Sequence, residues 1–302
     1  MSNRVDRGSP RCIGVVAPFS TAEAVVARPL LHAVEAVVAA SGQGVRVIAH
    51  DDGRDPEQAA AAVAALIAEP GCLGVVGPKN SGSAIAAGPL AAAAGLALVL
   101  PCATADELTG VGGVVFRMCA PDAATAGAAA ALAIELGVDR LAVLADDTAY
   151  GLGLAQKVRA AATAAGLTIT DAVAGTGAAF LAMGEVEQAV LMRALRDDGY
   201  TGELISAEGG PDAPIVGLAG PAAEGAWLLY PGRPVDGRSV YAAEAADAAR
   251  VLLATGPGGP AAVRSGLVAG ETGPVSFTPD GERVGAKVHR YRVIGGVAHV
   301  VR

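Results

Sequence analysis

Short apolar runs recur along this chain, each closed by a turn and most followed by an alanine-rich stretch of helical length. CIGVVAP, VRVIAHDD, LGVVGP, ALVLP and VVFRMC fall in the first 120 residues, and LAVLADD, TITDAV, GELISAE and GAWLLYP follow. A strand buried on both faces reads as such a run, and strand–helix alternation calls for a mostly parallel sheet covered on both sides. Hydrophobic residues make up 52% of the chain but aromatics only 3%, so the core must be built from Ala, Val, Leu and Ile. About ten such strands are too many for one comfortable sheet. The sequence therefore predicts an α/β molecule of two lobes, with the break near Ala120-Pro121-Asp122.

The predicted helices cover about 22–40, with Pro29 as a kink, then 81–94, 122–136, 152–165, 185–198, 240–254 and 261–267. Another starts at Asp55, a capping residue followed by Pro56 and Glu57. The end changes character: PVSFTP, then KVHRYRVI and VAHVVR around Gly295-Gly296, a β-hairpin signal. No charge falls between Asn80 and Ala105. That length spans a bilayer, but Pro89 and Gly95 interrupt it, and a helix followed by a buried strand reads the same way.

The start, MSNRVDRGSPRC, has charges with no apolar stretch behind them, so no secretory leader is read in the chain as it stands. Four cysteines fit no metal-binding spacing. Cys12 and Cys72 each precede a similar strand, IGVV and LGVV, and would lie side by side if those strands are neighbours. The reading is buried, reduced thiols, with a disulfide as the alternative. A net charge of −8, with lysine only at 79, 157 and 287, excludes a nucleic-acid backbone or an anionic membrane as partner.

Gly77 to Gly82 spells GxxxxG without the lysine that a phosphate loop needs next. GxGxxG after a strand, HExxH and GxSxG do not occur. No cofactor, metal or catalytic group is therefore expected. The acidic pairs Asp51-Asp52 and Asp146-Asp147 read as turn and helix caps. What remains is a polar set just past strand ends: Ser81, Thr104, Tyr150 and Glu208. Open α/β sheets bind ligands at the carboxyl ends of their strands, beside the free N–H groups of helix N-termini. Ser81 and Thr104 suit a small anion such as a carboxylate, Glu208 a cation, and Tyr150 an apolar tail. Each of the first two also reads as an ordinary helix cap.

The order IGVVAPFS, DDGRDPEQAAAAVAALI, GVVGPKNSGSAIAAGPLAAAAGLALVLPCATADEL, VVFRMCAPDAATAG, LAVLADDTAYGLGLA, AAEGAWLLYP and GPVSFTPDGE resembles the branched-chain amino acid binding proteins, type I periplasmic binding proteins of ABC transporters. The resemblance implies two Rossmann-like lobes joined by three crossovers and closing like a clamshell on an amino acid, with no catalysis. Lobe one would be 1–121 plus 236–275, and lobe two 122–235 plus 276–302. It implies that Ser81 holds the ligand's α-carboxylate and that Thr104 holds the carboxylate and touches the ammonium. The carbonyl of Cys102, with Ala103 beside it, would accept from the ammonium. Tyr150 would line the second lobe's side, and Glu208 would pair with the ammonium.

The implied partners are an amino acid and an ABC permease. Two alternatives stand beside that reading: a cytoplasmic ligand sensor acting on a regulatory partner, and a scaffold that has lost its ligand. The compartment is extracytoplasmic by resemblance, and cytoplasmic if the start is native. Besides the missing leader, further departures from the family pattern carry expectations. The chain is about twenty residues short between Thr170 and Glu185, where the family carries an extra helix and strand. Another helix is missing between Pro231 and Tyr241, so the second lobe should be reduced and its closure weakened. Val25 and Val26 replace an aromatic near the first helix, which predicts a wider or more aliphatic cleft.

Overall fold

A computed structural model describes residues 10–210 and 212–301. The charged stretch from Met1 to Ser9, on which the reading of a leader turns, lies outside the described residues. Five parallel strands form the first sheet: β1 (Cys12–Ala17), β2 (Arg46–Asp51), β3 (Cys72–Val76), β4 (Leu98–Leu100) and β5 (Val115–Arg117), in spatial order β2-β1-β3-β4-β5. Between them run α1 (Ala24–Ser41), α2 (Pro56–Ala68) and α3 (Ser81–Ala94). α1 continues past Pro29. Asp55 caps α2 as its sequence suggests, its Oδ1 accepting from the N–H groups of Glu57 at 2.7 Å and Gln58 at 3.1 Å. The uncharged stretch from 80 to 105 resolves into α3 and β4.

Past β5 the chain crosses to a second sheet. It forms α4 (Asp122–Glu135), β6 (Arg140–Ala145), α5 (Ala149–Ala164), β7 (Thr168–Thr170), β8 (Ala178–Ala182), α6 (Glu185–Asp197), β9 (Glu203–Ser206), α7 (Pro214–Ala219) and β10 (Trp227–Tyr230). Residues 231–241 cross back to α8 (Ala242–Thr255), α9 (Gly259–Ser265) and the antiparallel pair β11 (Val268–Gly270) and β12 (Gly273–Val275). A third crossing leads to the hairpin β13 (His289–Ile294) and β14 (Val297–Val301). The hairpin extends the second sheet, whose order is β14-β13-β10-β9-β8-β6-β7. Phe277 packs edge-on against Phe116 at 5.2 Å between ring centres, and Glu282 pairs with Arg117 at 3.0 Å. The third crossing thus rests on the first lobe before β13 joins the second.

One expectation about the second lobe is corrected. A strand was expected to be missing between Thr170 and Glu185, yet β8 stands there, in the middle of the sheet between β6 and β9. Its sequence, AAFLA, has no β-branched residue, so it carries little strand signal. All five residues are buried, and tertiary burial makes it a strand. Only the helix is absent from this segment, and the sheet keeps seven strands. The segment from Pro231 to Tyr241 does lack a helix.

α2 and α3 cover one face of the first sheet and α1 and α8 the other; α4 with α5, and α6 with α7, do the same for the second. One apolar cluster passes from lobe to lobe through Met118, Cys119, Tyr230 and Tyr241 at the crossings. Small residues allow this close layering: a Cβ on Gly14 of β1 would collide with Leu66 of α2. Among the described residues α1 is the one helix long and apolar enough to cross a membrane. Here its buried stripe, including Leu30 and Val34, packs on α8. Cys12 and Cys72 are register partners in β1 and β3, and both are free thiols. Burial, then the neighbouring Cys72, pushes the Cys12 thiol up to about 12.

Candidate functional site

The carboxyl ends of the two sheets face each other across a small cavity of about 30 Å³, room for roughly two waters. From the first lobe come Ser81, at the first turn of α3, and Cys102, two residues past β4. From the second come Tyr150, in the first turn of α5, and Glu208, two residues past β9. Four of the six residues expected from sequence therefore reach one wall. Ala103 and Thr104 are buried behind it and are not among its lining residues. The Thr104 carbonyl accepts from the Arg117 guanidinium and from the Asp122 N–H, which holds this loop back against the lobe junction.

Local structure explains the placements. Asn80, not Ser81, sits at the N-cap position of α3 and makes no side-chain cap bond. The Ser81 hydroxyl instead accepts from the Ala105 N–H at 3.3 Å, joining the turn after β3 to the loop after β4. Thr148 caps α5 by accepting from the Gly151 N–H at 3.0 Å, which sets Tyr150 at the cleft. Tyr241 lies in the second crossing with φ of 60°, a left-handed conformation uncommon for a bulky residue. Its hydroxyl donates to Glu208 Oε2 at 2.6 Å.

Charged residues that sequence reasoning did not single out complete the wall: Glu23, Arg54, Lys79 and Glu185. Lys79 Nζ meets Glu23 Oε2 at 2.7 Å, and Asn80 donates to the same oxygen at 3.0 Å. Arg54 places Nε at 3.3 Å from Glu23 Oε1 and reaches across to the second lobe, to Glu187 at 2.5 Å and Asp146 at 3.2 Å. The only visible signal in the sequence was Lys79 itself, one of three lysines, directly behind a strand-ending Gly-Pro. Three of the four paired aspartates accept from turn or loop N–H groups: Asp51 from Phe19 and Gly53, Asp52 from Arg54, and Asp146 from Thr148.

The expectation of a wider, more aliphatic cleft is overturned. Val25 is exposed and Val26 belongs to the core, so neither lines the cavity. Glu23, one position before α1, turns inward to Lys79 and Arg54 and leaves the cleft narrow and charged.

Electrostatics divide the carboxyl groups into two kinds. Burial alone would raise Glu23, but Lys79 and Arg54 override it and hold that carboxyl down at about 2. Burial likewise works against the Lys79 ammonium, and Glu23 more than restores it, so its value is raised. Glu185 has no such compensation: burial, then the Glu208 charge, pushes it up to about 8. Burial also raises Glu208 against the opposing Tyr241 hydrogen bond and the Lys79 charge. At the lobe junction, burial lifts Asp122 to about 6. Among the described residues no cluster of His, Cys, Asp and Glu is arranged to hold a metal ion.

Two α/β lobes, joined by three crossings and presenting a polar cleft at their strand ends, define a bilobal cleft protein. The chain belongs to the periplasmic binding protein family, whose sequence profile matches residues 12–176, and the fold expected from the resemblance is the one found. Leu/Ile/Val-binding protein BraC3 of Rhizobium johnstonii is 36% identical over 136 residues, 44% of this chain and 37% of that protein. Leu/Ile/Val-binding protein homolog 3 of Brucella melitensis is 28% identical over 240 residues, 70% of this chain and 65% of that protein. The chain thus spans 37% to 65% of the length of these curated relatives. Among solved structures, the leucine-binding protein LivK from Thermotoga maritima superposes with a TM-score of 0.84 at 18% identity, covering 97% of this chain and 98% of that one. LivJ from Streptococcus pneumoniae, in complex with isoleucine, gives 0.79 at 18%, covering 97% and 99%. At these identities the likeness speaks for the fold.

Proposed function

We propose that the chain captures a small zwitterion, an α-amino acid of the class its relatives are named for, by closure of the two lobes and without catalysing a reaction. The observation that carries this reading is the convergence of Ser81 and Cys102 from one lobe with Tyr150 and Glu208 from the other on a single cavity. A hydroxyl beside a helix N-terminus suits a carboxylate, and a buried carboxyl suits an ammonium. Closure contributes by excluding water and completing the shell, so the ligand selects the closed state. The implied partner is an ABC permease; a regulatory partner is the alternative. Titration calorimetry of the purified chain against the twenty amino acids tests the reading. Saturable binding of one chemical class supports it. No heat from any of them at millimolar concentration overturns it.

A further inference from the structure

The polar atoms on the cavity wall that lack any hydrogen-bond partner are all oxygens. Both carboxyl oxygens of Glu185 are unpaired although the residue is only 6% exposed, and so is Asn80 Oδ1. A buried carboxyl without a donor is costly, and a wall that keeps one implies an occupant that brings the donor. The wall's guanidinium and amide donors are committed: Arg54 to Glu187, Asp146 and Glu23, and the Asn80 amide to Glu23. Lys79 has spent one of its three N–H bonds on Glu23 and keeps two for an anion.

The charge count points the same way. Glu23, Asp146 and Glu187 are taken up by Arg54 and Lys79, whereas among the described residues Glu185 and Glu208 have no ion-pair partner. Glu208, held by Tyr241, is the carboxyl placed for an α-ammonium, so Glu185 is left for a second positive group. It opens α6 behind β8, and the Ile215 N–H at the start of α7 lies close enough to oppose the effect of burial slightly. Glu185 and Glu208 line the same small cleft, so the two amino groups are a short side chain apart.

We propose that the ligand carries a second amino group on a short side chain and that Glu185 receives it, so the cleft prefers a short diamino acid to an isosteric aliphatic one. The inference rests on the zwitterion reading above and replaces the aliphatic side chain of the relatives' named ligands with a cationic one. Glu185 faces Glu208, Lys79 and Glu23, and burial keeps it protonated in the empty cleft near neutral pH. Arrival of a cation favours the ionised form, so binding at pH 7 releases close to one proton to the buffer.

The test is calorimetry of the full chain with L-2,4-diaminobutyrate, L-norvaline and L-leucine, repeated for Glu185→Gln and in buffers of differing ionisation enthalpy. The expected result is at least tenfold tighter binding of diaminobutyrate than norvaline, with proton release. In Glu185→Gln both the preference and the release disappear. Norvaline or leucine binding as tightly as diaminobutyrate to the unaltered chain overturns the inference and leaves the zwitterion reading standing. So does a preference that survives in Glu185→Gln. Failure of every amino acid to bind overturns both. The ligand comparison and proton count on the unaltered chain decide the matter even if the variant does not fold.

Discussion

Glu23 and Glu185 face one cleft with opposite consequences for stability. Glu23 is held down at about 2 against an ordinary 4.5, so its ionisation stabilises the fold. That contribution is present above 4.5 and is lost as the pH falls toward 2. Glu185 is pushed up to about 8, so the unfolded chain gives up this proton more readily than the folded one. Its contribution therefore falls as the pH rises from 4.5 toward 8, by at most about 1.4 kcal/mol per unit. Glu185→Gln should flatten this decline in a series of thermal melts from pH 5 to 8. Glu23→Gln leaves Lys79 and Arg54 without their shared carboxylate and should cost about 3 to 5 kcal/mol, read by urea denaturation. Glu208→Ala should weaken ligand binding by about 1.5 to 3 kcal/mol in calorimetry, the range for a hydrogen bond to a charged group. Of these residues the sequence exposed only Glu208, because it follows a readable strand. Glu23 and Glu185 lie beside helix starts, where an acidic residue is ordinary and its inward turn is invisible.

At the scale of elements, legibility follows burial pattern and punctuation. Runs such as LGVV and caps such as Asp55-Pro56 locate β3 and α2 directly. β8 escaped because AAFLA has neither alternation nor β-branched residues, and its partners β6 and β9 come from distant segments. The AYG stretch has a packing reason. A Cβ on Gly151 would run into the Asp146 carboxylate and come within 2.7 Å of the Ala182 carbonyl. Gly151→Ala should push α5 away from β8 and lower stability by about 1 to 3 kcal/mol, with a lower melting temperature and reduced protection of the β8 amides in hydrogen exchange.

For the molecule as a whole, closure is partly ionic. Arg54 ties its lobe to Asp146 and Glu187 on the other, with its side chain only 21% exposed. Lys157 on α5 reaches Asp106 and Glu107 at 3.5 and 3.4 Å, but Glu107 is 59% exposed, so that link is worth little. Arg54→Ala should shift the empty protein toward open forms, seen as a larger radius of gyration in small-angle scattering; an unchanged profile would show that the bridge does not hold the lobes. The bilobal plan could be read from the alternation of elements, since it repeats along the chain. The charged closure could not: Arg54 and Glu187 are 133 positions apart, and only the finished fold brings them together. One detail at the crossings sets the manner of opening. The Ala120 N–H donates to the Pro231 carbonyl at 2.7 Å, so two of the three connecting strands are stitched side by side. Sliding one half over the other would tear that seam, whereas bending about it leaves it whole. The motion is thus reduced to a single angular coordinate, and a fluorophore pair placed at the outer rims would report it as one distance.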